Sequence, residues 1–231
     1  VHAGAKWRYG KLNPTILDRI NYELGIIKEK GFTHYFLVVQ DIVKESPRTC
    51  GRGSAAASIV SYCLGITDVD PIRHNLFFER FLNPGRIDPP DIDIDFAWDE
   101  RDKVLDYVFQ KYGAKKVAMV ANHVGFKWRA SVREVQKLEG LVDGTIDEKI
   151  LNRAKLLPGH LRNISLHCGG VVVVPDDIRN YAPVELTPKG LPVIQWEKHQ
   201  VEDAGLVKTD ILGNRSIAVI RDCLATIQKN Y

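Results

Sequence analysis

Pro90-Asp-Ile-Asp-Ile-Asp-Phe96 is the stretch that says most about the fold of this chain. Successive side chains of a β-strand point to opposite faces, so the three aspartates share one face and the apolar residues share the other. Like charges along one strand face repel each other, and packing alone gives no reason to place them there. A divalent cation such as Mg²⁺ takes carboxylate oxygens as ligands and would remove this repulsion. The alternation therefore predicts a strand that carries a metal site.

The acidic strand also has a plainer interpretation as a solvated strand near a sheet edge, where charges prevent edge-to-edge pairing. Pro89 and Pro90 restrict the entry into the strand and argue against a casual surface loop. Carboxylates at neighbouring same-face positions, such as Asp91 and Asp93, can bridge two metal ions about 3.5–4 Å apart. That is the geometry of phosphoryl and nucleotidyl transfer, so the sequence favours a catalytic metal centre here.

The composition is that of a globular protein: 45% of the 231 residues are hydrophobic and the formal net charge is +3. The four cysteines form no CxxC pair, which argues against a zinc site or a disulfide framework and favours reduced thiols. No apolar run has transmembrane length, and the N-terminus lacks a signal-peptide pattern. We therefore expect a cytoplasmic protein without a membrane segment. Because the chain begins Val-His-Ala-Gly rather than with Met, we also expect it to be part of a longer protein.

Alternating helical and strand patterns along the chain predict an α/β fold. Predicted helices cover 14–31, 35–44, 54–64, 99–113, two stretches within 126–158, and a last helix from 215 onward. Asn13 followed by Pro14 predicts the start of the first of these helices, and Asp99 is the expected cap of the helix over 99–113. Predicted strands cover 91–96, 116–121, 170–174, 193–196 and 206–211, and 46–53 is predicted to be a turn-rich break. The basic segment from Phe126 to Pro158, whose two helices are joined at 140–144, is interpreted as an insert into the sheet.

A glycine-rich turn, Gly51-Arg-Gly-Ser54, precedes one predicted helix. Glycines let backbone N–H groups approach phosphate oxygens, and a helix N-terminus adds partial positive charge. Arg52 and the Ser54 hydroxyl supply further donors. Such a turn is equally often structural, so by itself it leaves phosphate binding open.

A second acidic strand pattern lies in Gly205-Leu-Val-Lys-Thr-Asp210-Ile-Leu. Lys208 and Asp210 alternate with apolar residues, so both can point the same way from a buried strand. Asp210 would complete a carboxylate triad and Lys208 would neutralise a phosphate. Alone, a Lys-x-Asp pair is more often a surface ion pair. Its combination with the glycine turn and the acidic strand is what favours a nucleotidyltransferase.

Five motifs then follow one another in the order found in the bacterial C-family DNA polymerases, the polymerase III alpha subunits, which the chain resembles over nearly its whole length. They are Gly51-Arg-Gly-Ser54, Phe77-Phe-Glu-Arg-Phe-Leu-Asn-Pro84, Pro90-Asp-Ile-Asp-Ile-Asp-Phe96, His167-Cys-Gly-Gly170 and Gly205-Leu-Val-Lys-Thr-Asp-Ile-Leu-Gly213. Ala55-Ala-Ala-Ser58, Pro89-Pro90 and Val193-Ile-Gln-Trp196 look closer to the error-prone branch. The resemblance implies a polymerase-β-like nucleotidyltransferase palm, a mixed sheet flanked by helices, with a small helical thumb insert.

The resemblance also implies roles for individual residues. Asp91, Asp93 and Asp210 match the catalytic triad that holds two Mg²⁺ ions, for which Mn²⁺ can substitute, whereas Asp95 is expected only to support the site. Positions expected around the triphosphate are Arg52, Gly53, Ser54, Arg80 and Lys208. The thumb would grip duplex DNA through Lys127, Arg129, Arg133 and Lys137, which without the resemblance would be an ordinary solvated helix face. His167 is more often structural than catalytic at such a position, and Tyr35, Phe36, Phe77, Phe78 and Phe81 are expected in the core rather than stacked on bases.

The implied domains are a first palm part (1–125), a thumb-like insert (126–162), a second palm part (163–214) and the start of the fingers or a closing helix (215–231). No histidine-rich N-terminal domain precedes them here, and the thumb is shorter than is typical of the family. We therefore expect the palm of a larger polymerase, with weak or absent activity on its own because lid closure completes many active sites. The expected partners are primer-template DNA, a dNTP, and a sliding clamp or other replication and repair subunits. A two-metal nuclease and a non-catalytic duplex-binding fragment remain as alternatives.

Overall fold

A seven-stranded mixed β-sheet organises the chain in a computed structural model that describes residues 1–86, 89–141, 146–188 and 190–230. The strand order is β1-β2-β7-β4-β3-β6-β5; β2 pairs with β7 and β3 with β6 in parallel, and the other neighbours are antiparallel. The strands are β1 Thr49–Arg52, β2 Ile92–Ala97, β3 Val117–Gly125, β4 Leu161–Val173, β5 Val184–Leu186, β6 Pro192–Ile194 and β7 Lys208–Asn214. The predicted mixed α/β sheet is confirmed.

Helices flank this sheet and supply most of its cover. They are α1 His2–Tyr9, α2 Pro14–Glu29, α3 Thr33–Val43, α4 Ile59–Cys63, α5 Arg101–Tyr112, α6 Trp128–Leu138, α7 Glu148–Ala154, α8 Lys198–Asp203 and α9 Arg215–Asn230. Short 3₁₀ turns cover Gly53–Ala57, Phe78–Arg80 and Ile178–Asn180. None of the described helices combines the length and the apolar character that crossing a membrane requires.

The predicted alternation of β2 is confirmed by its packing. Ile92, Ile94 and Phe96 are fully buried in the main core, together with apolar residues of α2, α3 and α5. Burying three large apolar side chains stabilises the fold by roughly 1.5–3 kcal/mol each. This apolar face anchors the strand, and the aspartates consequently lie on its opposite face.

Local sequence signals explain the long helices. The Asn13 side chain accepts a hydrogen bond from the Ile16 N–H at 2.9 Å, and Pro14 occupies the first helical position of α2, as predicted. Asp99 was predicted to cap α5, but Glu100 is the N-cap residue and the Asp99 carboxylate accepts hydrogen bonds from Arg221 of α9. A long-range ion pair thus replaced the expected local cap.

The prediction of one helix over 54–64 and a turn-rich break over 46–53 was wrong. Residues 49–52 form β1, which pairs with β2, and the following residues split into a 3₁₀ turn and the short helix α4. Ser58 interrupts them in an extended conformation, and its hydroxyl accepts from the Ser61 N–H at 3.1 Å. Serine favours such caps over helix interiors. Strand β5 and the helices α1 and α8 were also not predicted.

The basic insert lies between β3 and β4, which run on past the other strands as a two-stranded ribbon. Strand β4 begins nine residues earlier than predicted, and its first half pairs with the end of β3. Helices α6 and α7 pack through Val132, Val135, Ile150 and Ala154. Glu139 at the end of α6 also forms ion pairs with Lys149 and Arg153 of α7. Most of the predicted joint at 140–144 lies outside the described residues, whose gap runs from 142 to 145.

Candidate active site

Three carboxylates from two strands meet on the sheet face that carries the β2 aspartates. Asp93 of β2 faces Asp210 of the parallel strand β7 in register, so both side chains point to the same side. Asp91 lies just before β2. Each of the three residues offers one carboxylate oxygen such that these atoms all lie within 4.8 Å of one another. The structure therefore brings together Asp91, Asp93 and Asp210.

The electrostatics of this cluster favour a cation. Burial, followed by repulsion from Asp91 and Asp210, raises the pKa of Asp93. Two buried oxygens, Asp91 Oδ1 and Asp210 Oδ1, have no hydrogen-bond partner within the described residues. Unpaired buried acceptors are costly, and carboxylate oxygens are preferred ligands of Mg²⁺. The residues present thus fit a divalent metal.

Two lysines partly balance the negative charge. Lys208 Nζ lies 2.6 Å from Asp210 Oδ2 and 3.8 Å from Asp91 Oδ1, and its side chain is only 4% exposed. Lys198, at the start of α8, donates to Asp91 Oδ2 at 2.9 Å, and this hydrogen bond raises the pKa of the lysine. Lys198 was not among the predicted site residues, because the helix that carries it was not predicted.

Arg52 reaches the same face from β1, the edge neighbour of β2. Its Nε lies 3.3 Å from Asp95 Oδ1, and one terminal nitrogen lies 4.0 Å from Asp93 Oδ2. The other oxygen of Asp95 accepts from Asn214 Nδ2 at 3.0 Å. Asp95 therefore holds the guanidinium of Arg52 beside the carboxylates and stands outside the three-carboxylate cluster.

A small pocket adjoins the carboxylates and is lined by Gly53, Ser54 and Arg80. Gly53 has φ +71°, a conformation that favours glycine, and a Cβ on it would lie 3.9 Å from Asp93 Oδ2. The pocket also contains Phe77, which is 62% exposed. The prediction that Phe77 is a core residue was wrong. Phe36, Phe78 and Phe81 are buried as predicted, and Tyr35 packs against the core.

The N-terminus of α4, which follows the glycine-rich turn, is occupied by a carboxylate of the protein itself. The buried carboxylate of Glu23 accepts hydrogen bonds there from the Ile59 N–H (3.1 Å), the Val60 N–H (3.2 Å) and the Ser58 hydroxyl (2.7 Å). Arg19 pairs with the same carboxylate at 2.7 Å. This protein carboxylate occupies the helix end, so donors for a phosphate have to come from the turn itself and from Arg52 and Arg80.

His167 has a structural position beside the carboxylates. Its Nδ1 accepts hydrogen bonds from the N–H groups of Gly170 (2.7 Å) and Gly169 (3.2 Å), so this nitrogen carries no proton. Burial lowers the pKa of His167. Its 3.8 Å approach to Asp210 Oδ1 is consequently a contact of a neutral ring rather than an ion pair.

A basic surface lies on the insert between β3 and β4. Lys127, Arg129, Arg133 and Lys137 of α6 and its N-cap line one pocket together with Arg162 of β4. These four side chains are exposed and, within the described part of the chain, form no ion pair. Trp128 lies among them and is also exposed. The four predicted DNA-binding residues therefore lie on one surface, which also includes Arg162.

Residues 1–150 and 144–213 match the family model described as the bacterial DNA polymerase III alpha NTPase domain. The two matched segments meet near 144–150, which lies inside the insert.

Individual relatives agree with the family match. The chain is 37% identical to DNA polymerase III subunit alpha of Pseudomonas fluorescens over 93% of its length, and 35% identical to that of Bacillus subtilis over 98%. It is 39% identical to the error-prone DNA polymerase of Mycobacterium bovis over 92% of its length. The chain spans 22–24% of the length of these relatives. Both branches are matched at similar identity, so the assignment to the error-prone branch stays a prediction.

Proposed function

The chain belongs to the bacterial DNA polymerase III alpha family, and from this membership we propose that it is the catalytic palm of a DNA-directed DNA polymerase. The substrates would be a primer-template duplex and a dNTP. The reaction would join the primer 3′-hydroxyl to the α-phosphorus of the dNTP and release pyrophosphate.

One observation carries this proposal: three carboxylates, two of which have an unpaired buried oxygen, lie next to a pocket lined by glycine and arginine. Asp91, Asp93 and Asp210 are the proposed metal ligands. Two bound Mg²⁺ ions, or Mn²⁺ in their place, would lower the pKa of the attacking hydroxyl and stabilise the leaving pyrophosphate. The parallel pairing of β2 with β7 holds Asp93 and Asp210 in place before any substrate arrives.

The remaining residues of the site would bind and orient the triphosphate. The Gly53 backbone and the Ser54 hydroxyl can approach phosphate oxygens closely because glycine carries no Cβ. Arg52, Arg80 and Lys208 would neutralise charge on the phosphates, and arginine can do so with two parallel hydrogen bonds. Lys208 is held near Asp210 by its burial, so it is oriented in advance.

The basic surface of α6 supports binding to duplex DNA. Lys127, Arg129, Arg133 and Lys137 are exposed cations without ion-pair partners in the described residues, as phosphate contacts require. Such contacts are independent of sequence and are weakened by salt. We assign residues 126–162 to a reduced thumb on this basis, with palm parts at 1–125 and 163–214 and the start of the fingers, or a closing helix, from 215 to 231.

The chain alone would extend a primer only slowly, because no fingers cover the nucleotide in the described residues. Contacts to a sliding clamp and to other subunits would then involve other parts of a longer protein. We propose a cytoplasmic site of action, where replication and repair enzymes meet DNA. A two-metal nuclease would need the carboxylates but not the triphosphate pocket, and this pocket favours the polymerase.

Incubation with a labelled primer-template and Mn²⁺, with and without dNTPs, tests the proposal. We expect slow primer extension that requires dNTPs and is lost in Asp93→Asn and in Asp210→Asn. Shortening of the primer without dNTPs would support the nuclease instead. A non-catalytic binding fragment would be supported by two results together. The unmodified chain would show no extension under single-turnover conditions, and salt-dependent duplex binding would persist in Asp93→Asn and in Asp210→Asn.

A further inference from the structure

The two lysines at the carboxylates differ sharply in burial. The Lys208 side chain is 4% exposed, and the hydroxyl of Tyr35 donates to its backbone carbonyl at 3.3 Å. The Lys198 side chain is 42% exposed although its Nζ lies 2.9 Å from Asp91 Oδ2. A buried ammonium cannot leave its carboxylates without a new partner, whereas an exposed one can be received by water. Of these two lysines, Lys198 is therefore the one that is free to exchange.

The helix that carries Lys198 does not depend on the pair with Asp91. Its start is fixed by a capping box in which Glu197 accepts from the His199 N–H and Gln200 accepts from the Glu197 N–H. A cation in the first turn of a helix gains nothing from the helix dipole. Glu202, one turn further on, lies 3.7 Å from Lys198 Nζ and offers the ammonium a second partner on its own helix. The contact with Asp91 is thus not explained by the stability of α8.

The charges at the cluster explain why such an exchange is favourable. Three carboxylates against two ammonium groups leave a formal net charge of −1, and the ion pair of Arg52 with Asp95 beside them leaves this value unchanged. Lys198 contacts Asp91 Oδ2, and Oδ1 of the same carboxylate is the unpaired oxygen that fits a metal. A divalent cation bound through Oδ1 would therefore lie close to the ammonium of Lys198 and repel it. Departure of Lys198 removes one positive charge from the metal site and makes that charge available to a phosphate.

We propose that Lys198 is an exchangeable counter-ion of the active site, which holds Asp91 before metal binds and transfers to a triphosphate oxygen once a divalent cation takes its place. It is a positioning residue for Asp91 in the first state and a phosphate ligand in the second. This inference rests on the proposed polymerase function, since it requires both metal and triphosphate at the site.

Binding measurements on the whole 231-residue chain test the exchange. Lys198→Met and Lys198→Arg are compared with the unmodified chain and with Lys103→Met, which changes an exposed lysine of α5 that does not contact the carboxylates. The probes are Mn²⁺ alone, by electron paramagnetic resonance, and inorganic tripolyphosphate in the presence of Ca²⁺, by calorimetry. The side-chain NMR signal of Lys198, assigned by its loss in Lys198→Met, is followed during addition of Mg²⁺ and then of tripolyphosphate.

We expect Lys198→Met to bind Mn²⁺ about two- to fivefold more tightly and tripolyphosphate about two- to fivefold more weakly, the range that a half-exposed ion pair gives. Lys198→Arg should stay close to the unmodified chain in both measurements, as should Lys103→Met. The Lys198 signal should move with Mg²⁺ and move again with tripolyphosphate. The exchange is overturned if the Lys198 signal does not shift on either addition. It is also overturned if Lys198→Met binds Mn²⁺ no more tightly than the unmodified chain.

Asp93→Asn separates this inference from the proposed function. If Mn²⁺ binding is lost in Asp93→Asn but unaltered in Lys198→Met, the metal site stands and only the exchange is wrong. If Asp93→Asn binds Mn²⁺ like the unmodified chain, the carboxylates are not the metal site, and the proposed function and the exchange both fail.

Discussion

Asp93 and Asp210 face each other on two parallel strands, although the insert and strands β3 to β6 separate them along the chain. Their proximity costs stability, since burial and mutual repulsion raise the pKa of Asp93. Such a cost is typical of functional sites, where residues are arranged for chemistry rather than for folding. It can be measured directly on the protein without metal.

Replacing Asp93 with Asn should stabilise the metal-free protein by about 1 kcal/mol at neutral pH, which corresponds to about 2–4 °C in Tm for a chain of this size. The raised pKa means that the folded state binds a proton more tightly than the unfolded state, so the stability from this group declines as pH rises. The gain from Asn should therefore shrink as pH falls through the raised pKa of Asp93, and it should be nearly absent below about pH 4, the ordinary pKa of aspartate. Thermal unfolding of the two proteins at pH 7 and at pH 4, with a chelator present, measures the gain in stability and its dependence on pH.

Adding Mg²⁺ or Mn²⁺ should make the unmodified chain more stable than Asp93→Asn, the reverse of the order without metal. A ligand that binds only the folded state raises its stability, so the metal should raise the Tm of the unmodified chain and leave that of Asp93→Asn unchanged. Equal shifts in the two proteins would place the metal elsewhere.

Replacing Glu23 with Ala should destabilise the fold by about 3–5 kcal/mol, because it leaves Arg19 and two α4 N–H groups without their buried partner. Asp18→Ala on the same helix is the matched control, since Asp18 is exposed. Urea denaturation measures the difference. A cost for Glu23→Ala no greater than that of the control would show that the buried network contributes little.

Replacing His167 with Ala should cost about 1–2 kcal/mol at pH 7, since two glycine N–H groups lose their acceptor. Because the pKa of His167 is lowered in the folded state, its contribution is present above the ordinary histidine pKa of about 6.5 and is lost as pH falls below that value. The difference between the two proteins should be smaller at pH 5 than at pH 7 in urea denaturation. A difference that grows toward pH 5 would contradict the assigned neutral ring.

Replacing Arg133 and Lys137 together with Ala should weaken binding to duplex DNA and reduce the slope of log affinity against log salt by about 2, near 0.9 for each phosphate that the protein no longer neutralises. Fluorescence anisotropy at several salt concentrations measures the slope. Lys103→Ala with Lys28→Ala removes the same charge from exposed positions outside the insert and should leave the slope unchanged. Equal effects of both pairs would indicate attraction by net charge alone.

Much of the fold could be predicted from local patterns. The alternation in β2 correctly predicted which side chains enter the core, and Asn13-Pro14 correctly predicted the start of α2. The order of five motifs correctly predicted the family. Local signals failed around Ser58, where a cap outweighed helix formation, and at the first half of β4, whose exposed residues pair with β3 rather than pack on a core.

The amino-acid sequence by itself determined the acidic face of β2 and the apolar face that fixes it, because strand alternation is a local property of the backbone. Only the tertiary structure decided that β7 lies beside β2, that Lys198 reaches Asp91, and that Glu23 rather than a phosphate occupies the start of α4. Those contacts join residues distant in the chain. Their geometry depends on how the whole sheet assembles, and no short stretch encodes it.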